Sequence, residues 1–325
     1  TQPQLKLYDS FSNLVENDSS TRIIAVLNGG GGAELVGQRI AVAQSGIVTF
    51  RDLGVRGALT QSYSITFREA SDEEYRTYVL DDSSSGSPAL TPQTITNPTS
   101  RVFTLNPGPA SYFQLAVGLG NNQLSGAVAS TQPQLKIYDQ DGNLASTSGG
   151  IQVNATLTSG ADGSLAGTAT ATFQNGIANF TNLALTGVPA ESYTVTYAAG
   201  SMTAVTQTGL FVNRTPTLTL SYQNDVYAPG KTVSPTVATQ SDGVLSFTVA
   251  AGSAAICSVD GSTGLVTILG AGECRVDVAQ AQFDVSVSGV VRGSWLATSD
   301  DFTFTIAKAE QSPIVSTISG SQTIS

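Results

Sequence analysis

Short stretches in which apolar and polar residues alternate recur along the whole chain, roughly every ten residues, with turn residues between them. Alternation with a period of two places the apolar side chains on one face of a half-buried strand. In the first such stretch, residues 4–8, Leu5 and Leu7 are expected to face a core, and Lys6 is expected to point outward. A helical period of 3.6 residues persists in no segment. Short strands at this spacing are typical of a β-sandwich.

The chain also contains an internal repeat. With a constant offset of 130 and no gap, residues 1–67 align with residues 131–197, and 25 of these 67 positions are identical. The shared positions are turn glycines, such as Gly37 and Gly167, and apolar or aromatic residues, such as Tyr63 and Tyr193. Two copies of one folding unit are therefore predicted. The strands predicted in the first copy cover residues 4–8, 23–27, 38–43, 46–50 and 63–67.

Three β-sandwich domains and a short additional segment are predicted from this pattern. Residues 1–106 form the first domain, which carries an insertion at about 68–101 that we interpret as an extra hairpin or a long loop. Residues 107–213 form the second domain, which opens with a predicted strand at 112–117. The first copy has no counterpart to that strand, so the first domain is predicted to lack its first strand. Residues 214–310 form a third domain, and residues 311–325 an extra strand or the start of a further repeat.

The third domain is predicted to be a different unit that contains a disulfide. Its expected strands cover residues 217–222, 233–237, 244–249, 255–259, 265–269, 275–278 and 302–306. Cys257 and Cys274 are the only cysteines, and alternation points both sulfurs into the core. In a Ser-, Thr- and Gly-rich β-protein of extracellular type, two such cysteines indicate a local disulfide.

Composition and charge limit the classes of partner. Hydrophobic residues make up 40% of the chain, charged residues 12%, and the net charge is −10. This balance argues against a nucleic acid partner, whose phosphates are bound by clustered Lys and Arg. The sequence has no run of about 18 apolar residues, so no membrane span is predicted. It shows no signal peptide, and Thr1 falls inside a repeat, so the chain is expected to be a processed product or an excerpt of a longer one.

Several of these segments resemble bacterial immunoglobulin-like tandem repeats of large cell-surface proteins and adhesins. In the two copies, the resemblance is carried by residues 4–14, 46–53 and 63–67 and by residues 142–144, 176–180 and 193–197. Residues 257–272 and 304–309 resemble a second group of bacterial immunoglobulin-like domains. The resemblance implies an all-β fold of tandem immunoglobulin-like β-sandwiches in a linear array. It also implies an extracellular location and a role as spacer, stalk or adhesion module.

No catalytic residue is predicted. The chain has no histidine, which excludes Ser-His-Asp catalysis and the usual zinc sites. Neighbouring carboxylates, such as Asp300 and Asp301, are interpreted as solvated, so no enzyme activity is expected. A candidate calcium turn is formed by Asp139, Asp141 and Asn143, whose oxygens stand at alternate positions as at the start of a calcium loop. A plain turn explains the same residues, and no other cofactor or metal is predicted.

Three functions remain open at this level. The first is a non-enzymatic spacer that contacts neighbouring domains or subunits and carries a distal part to a host or surface target, either glycan or protein. The second is a filament or surface-layer subunit, in which residues 312–325 complete the first domain of a neighbouring molecule. The third is a glycan-binding module. The insertion supplies the best candidate recognition loop, with Tyr75, Arg76 and Tyr78, and Trp295 is a further candidate aromatic contact.

Overall fold

The structure, a computed structural model, describes residues 2–80, 96–147, 149–228 and 230–310. Three separate hydrophobic clusters lie within residues 5–103, 110–212 and 218–306. We refer to residues 1–106, 107–213 and 214–310 as units 1, 2 and 3. The prediction of an all-β chain of tandem immunoglobulin-like sandwiches is confirmed. Within the described ranges, no helix is long and apolar enough to cross a membrane.

The described part of unit 1 contains seven short strands and one short helix. The elements are β1 (Gln4–Lys6), β2 (Arg22–Asn28), β3 (Glu34–Val36), β4 (Ile40–Val42), β5 (Ile47–Thr49), β6 (Gly54–Arg56), β7 (Ser64–Glu69), α1 (Asp72–Tyr75) and a π-helical turn (Arg76–Leu80). Strands β4-β2-β7 form one antiparallel sheet, and β1 pairs with β5 on the other side of the core. After residue 96, the described residues of unit 1 form no further strand, and Thr99 and Phe103 form only isolated bridges to β7 and its flank.

Unit 2 repeats this plan with more strands. They are β8 (Tyr112–Val117), β9 (Gln123–Leu124), β10 (Gln134–Tyr138), β11 (Gln152–Ser159), β12 (Ser164–Ala166), β13 (Thr170–Thr172), β14 (Ile177–Asn179), β15 (Ala184–Thr186), β16 (Tyr193–Ala198), β17 (Val205–Leu210) and β18 (Val212–Asn213). A three-stranded sheet, β14-β10-β8, and a four-stranded sheet, β13-β11-β16-β17, enclose the core. The predicted opening strand is therefore present as β8, where it pairs antiparallel with β10.

Several residues that the two copies share have the same structural role in both units. The side-chain amide of Gln2 accepts a hydrogen bond from the Leu53 N–H at 2.8 Å and donates one to the Leu53 carbonyl at 3.2 Å. Gln132 makes the same pair of bonds to Leu183. In each unit, therefore, a glutamine side chain makes the two backbone hydrogen bonds that a neighbouring strand would make. Gly37 has a φ of +79°, and a methyl group there would overlap the carbonyl oxygen of Asp52. Only glycine fits such a position.

Unit 3 consists of a different sandwich and a hairpin. Its strands are β19 (Thr219–Ser221), β20 (Asp225–Val226), β21 (Thr232–Val233), β22 (Thr236–Ala238), β23 (Leu245–Val249), β24 (Cys257–Val259), β25 (Val266–Ile268), β26 (Gly272–Gln280), β27 (Phe283–Val287), β28 (Val290–Trp295) and β29 (Thr298–Ala307). Sheet β20-β29-β26-β23 faces sheet β21-β25-β24 across the core. The predicted disulfide is confirmed: Cys257 on β24 and Cys274 on β26 are bonded, with their Cα atoms 5.8 Å apart, and it joins the two sheets.

Candidate functional site

The candidate recognition residues lie in a helical segment, so the interpretation of residues 72–80 as a hairpin or loop is wrong. Ser71 caps α1 by accepting a hydrogen bond from the Glu74 N–H at 3.1 Å, and the Glu74 carboxylate accepts one from the Ser71 N–H at 2.9 Å. This reciprocal capping box satisfies N–H groups that a helix start leaves unpaired. The Ser-x-x-Glu spacing was the sequence signal for it. The rest of the insertion, residues 81–95, lies outside the described residues.

Arginines of the underlying sheet hold this segment in place. The Arg22 guanidinium lies 3.8 Å from the centroid of the Tyr75 ring and 3.0 Å from the Asp72 carboxylate. The Arg39 guanidinium lies 5.4 Å from the centroid of the Tyr78 ring. Tyr78 remains 52% exposed. Arg76 Nε donates to the Asp72 carbonyl. Tyr75 is half-buried packing against an arginine, so Tyr78 is the most exposed of the three candidates. Their recognition role stays a prediction.

Acid should unwind this helical turn. Two hydrogen bonds from Arg68 lower the pKa of Glu74 from 4.5 to about 2, against the opposing effect of burial. The folded-state pKa is depressed, so the stabilisation is fully present above about pH 4.5 and is lost as the pH falls towards 2. We expect the amides of α1 to exchange faster with solvent below pH 4, measured by hydrogen exchange corrected for the intrinsic rate. Glu74→Gln should remove this pH dependence; a dependence that survives the substitution would contradict the assignment.

The three candidate calcium residues form the turn that follows β10. Asp139 is 3% exposed, and its Oδ1 accepts hydrogen bonds from the N–H groups of Asp141 and Asn143, both at 2.9 Å. Its Oδ2 accepts from the Gly108 N–H at 2.9 Å and from Asn143 Nδ2 at 3.2 Å. Burial alone would raise the pKa of Asp139, but these hydrogen bonds outweigh it and lower the pKa. The carboxylate therefore stays charged and organises the turn.

The same turn contacts unit 1. Asn143 Nδ2 donates to the Gly57 carbonyl at 3.1 Å, and its Oδ1 accepts from the Leu59 N–H at 3.3 Å. Arg56 donates to Gln140 Oε1 at 3.0 Å and lies 3.8 Å from the Asp141 carboxylate. Arg56 ends β6 and residues 57–59 follow it, so the end of one sandwich is hydrogen-bonded to the first turn of the next. Sequence spacing could not reveal these contacts, because the partners are more than 80 residues apart.

Calcium binding at this turn stays a prediction. Four N–H donors already point at the two Asp139 oxygens, and Arg56 places a positive charge beside Asp141. In the part of the chain that the structure describes, no group of three or more His, Cys, Asp or Glu side chains could hold a metal ion. This geometry favours a hydrogen-bonded junction. We expect no binding heat on calorimetric titration of the chelator-treated chain with calcium; a saturable heat that Asp141→Asn abolishes would instead establish the calcium site.

A substitution can separate the turn's local role from its junction role. Asn143→Ala removes the two bonds to unit 1 and the side-chain bond to Asp139, whereas Asn13→Ala removes only the equivalent bond to Asp9. Each neutral hydrogen bond contributes about 1 kcal/mol. We expect Asn143→Ala to broaden the distance distribution between spin labels on units 1 and 2, and Asn13→Ala to leave it unchanged. Equal broadening in both variants would show that the turn does not fix the junction.

The junction between units 2 and 3 is built from the hairpin β27–β28, which the sequence analysis missed. Strand β18 pairs with β9 on one side, and on the other side its continuation at Arg214 bonds to β28. Across the junction, the Ala190 N–H of unit 2 donates to the Arg292 carbonyl at 2.7 Å, and the Ser294 N–H donates to Asn213 Oδ1 at 2.9 Å. The candidate aromatic Trp295 is half-buried here, in a bridge with Arg214. Ser288-Gly289, both with positive φ, was the turn signal for the hairpin.

The two copies of the repeat differ at one sheet edge. In unit 2, β10 lies between β14 and β8, while in unit 1 the equivalent β1 pairs, among the described residues, with β5 alone. Beside β1 lies a cleft of about 590 Å³. It is lined by Leu5, Lys6, Leu7, Tyr8, Asp9, Ser10, Val15, Asp18, Thr21, Ile23, Phe67, Thr96 and Pro98. Among the described residues, no strand covers this part of the unit 1 core, whereas β8 covers the equivalent part of unit 2.

Comparisons with known proteins add no family. No protein-family model matches the chain. No curated protein matches it either. Among solved structures, a C-terminal intimin fragment in complex with the intimin-binding domain of its translocated receptor is similar, at 17% identity and a TM-score of 0.33, over 60% of this chain and 64% of that one. Invasin, a bacterial integrin-binding protein, is similar at 14% identity and a TM-score of 0.33, over 93% and 55%. Protocadherin gamma B2 domains 3–6 are similar at 11% identity and a TM-score of 0.29, over 88% and 66%.

Proposed function

We propose that this chain is a non-enzymatic spacer segment of an extracellular bacterial surface protein of the stalk or adhesin type. The observation that carries the proposal is the pair of junctions, at which each unit is hydrogen-bonded directly to the next. Hydrogen bonds on both sides of a short linker restrict rotation between domains. A row of sandwiches joined in this way would hold the distal part of the protein at a fixed distance from the cell surface.

Two features support the extracellular location and the non-enzymatic role. A disulfide joins the two sheets of unit 3, and disulfides persist in oxidising compartments outside the cytosol. The chain lacks histidine, and Asp139, the most buried carboxylate among the described residues, accepts structural hydrogen bonds. We propose that the part carried by this spacer attaches to a host or surface target. The target would be a protein or a glycan.

Small-angle X-ray scattering tests the spacer proposal. Three sandwiches with strands about 30 Å long, joined end to end, would give a rod about 100 Å long and a radius of gyration of about 30 Å. A compact protein of this length would have a radius of gyration of about 20 Å. We expect the larger value, in a monodisperse sample, with only a small change on adding salt. A value near 20 Å would overturn the spacer proposal.

The open edge of β1 favours a second candidate, a filament formed by strand donation. In that case residues 312–325, which lie outside the described residues, would complete unit 1 of a neighbouring molecule. Purified chain would then form polymers, and deletion of residues 312–325 would leave monomers. A chain that stays monomeric at high concentration would eliminate this candidate.

Glycan binding, through Tyr78 and its surroundings, is a third candidate. Binding of the chain to a glycan array would support it, and Tyr78→Ala should then weaken that binding.

A further inference from the structure

The sequence of β1 is that of an inner strand, although β1 lies at a sheet edge in the part of the chain that the structure describes. Residues 4–8 and 134–138 differ at a single position, Leu7 against Ile137. In unit 2 this sequence is paired on both sides, and Leu135 and Ile137 are fully buried. In unit 1, Leu5 and Leu7 are only half-buried, and Tyr8 is 58% exposed. Exposed edges with apolar side chains are sites at which another strand can add.

The open backbone groups of β1 can be identified. The Leu7 N–H donates to the Gly46 carbonyl, and its carbonyl accepts from the Val15 N–H, so both groups face β5 and the following turn. Because successive residues of a strand point their backbone groups to opposite sides, those of Lys6 and Tyr8 face the open edge. At the equivalent positions of unit 2, Lys136 is paired with Gln114 and Tyr138 with Tyr112.

Strand β8 shows what fits such an edge. Phe113 is 3% exposed and packs on the Phe173 ring, with the ring centroids 6.2 Å apart, while Leu115 is half-buried against the same core. Tyr112 stacks on Tyr138 at 5.4 Å. In unit 1 the position of Phe173 is taken by Ala43, which leaves more room for an entering aromatic ring. Tyr8 offers the same stacking surface as Tyr138.

The turn after β1 continues this surface. Asp9 accepts hydrogen bonds from Phe11 and Asn13 as Asp139 does from Asp141 and Asn143. In unit 2, however, Oδ2 of the aspartate also accepts from Gly108, in the linker that leads into β8. Phe11, next to this turn, is 83% exposed. The aspartate is therefore placed to bind an N–H of the segment that precedes an added strand.

We propose that the open edge of β1 is a strand-accepting site for an uncharged, antiparallel β-strand of the β8 type. The strand carries an aromatic residue at the position of Phe113 and an aliphatic residue two positions later. It enters in the register that β8 takes on β10, so that its aromatic side chain lies over Leu7 and Ala43. Its backbone pairs with Lys6 and Tyr8. A charged residue at either inward position is excluded, because it would be buried against the apolar core side chains of Leu5, Ile23 and Phe67. This inference does not depend on the spacer role.

A graft of the chain's own segment tests the site. Residues 107–130 are placed directly before Thr1 in the full chain, so that unit 1 receives the strand and connection that precede Thr131 in unit 2. The tether makes strand addition intramolecular and raises its effective concentration. We expect the amides of Lys6 and Tyr8 to exchange at least about tenfold more slowly with solvent, measured by NMR. Exchange in β10 of unit 2 should not change.

Two matched grafts make the result decisive. The first carries Phe113→Asp in the grafted copy alone, and it should lose the added protection while the rest of the chain stays folded. The second replaces grafted residues 112–117 by residues 312–317, the segment that the filament candidate requires. Protection below tenfold with the β8 graft, or equal protection with Phe113→Asp, would overturn the strand-accepting site. Protection by residues 312–317 as strong as that by β8 would overturn the requirement for an aromatic residue and favour the filament.

Discussion

Replacing Leu135 by alanine is expected to lower the free energy of unfolding of unit 2 by about 3–5 kcal/mol, because a fully buried leucine leaves a cavity in a closed core. The same substitution at Leu5 in unit 1 is expected to have a much smaller effect, about 1 kcal/mol, because Leu5 is half-buried beside an open cleft. The two leucines occupy the same place in the shared sequence Thr-Gln-Pro-Gln-Leu-Lys. Each variant is thus the control for the other.

Hydrogen exchange in increasing urea can follow each unit separately. Strand β16 reports on unit 2 and strand β7 on unit 1, since each lies in the sheet across the core from the substituted leucine. In the chain that carries grafted residues 107–130, the effect of Leu5→Ala should rise towards that of Leu135→Ala. Equal effects of the two substitutions in the ungrafted chain would contradict the open core of unit 1.

The comparison of Leu5 with Leu135 illustrates which features of the fold can be predicted from the sequence and which cannot. Alternation and the repeat were enough to predict the main strands of units 1 and 2 and the extra strand β8, because these depend on a period of two and on turn residues. The sequence also placed Cys257 and Cys274 on inward faces. It could not show how far the β1 edge is open, because that depends on which strands pair across the core.

The missed elements have physical reasons. Helix α1 is too short for a period of 3.6 to be visible, and it depends on one capping box and on the Arg68–Glu74 pair. The hairpin β27–β28 packs against another unit, since its Arg292 carbonyl and its Ser294 N–H form hydrogen bonds with unit 2. Its pattern therefore carries no signal within unit 3. For the candidate sites, Tyr75 and Asn143 were found from the sequence, but their partners Arg22 and Gly57 are distant along the chain and come together only on folding.

The disulfide of unit 3 gives the second large effect. Opening it, by reduction or by Cys257→Ala with Cys274→Ala, is expected to lower the free energy of unfolding of unit 3 by about 3 kcal/mol, since the 17-residue separation closes a loop that constrains the unfolded chain. For a unit of about 100 residues this corresponds to a fall in melting temperature of roughly 15 °C. The two cysteines are buried between β24 and β26, so their loss also loosens the contact between the sheets.

Trp295 is the single tryptophan of the chain and lies in unit 3, so its fluorescence selects this transition. Because Trp295 lies in β28, beside the junction with unit 2, exchange in β26 should be followed in parallel, and the two signals should fall together. Units 1 and 2 contain no cysteine, so their exchange in β7 and β16 should be unaffected. A melting temperature of unit 3 that moves by less than about 3 °C on reduction would show that sheet packing alone, around Phe302 and Phe304, holds the unit together.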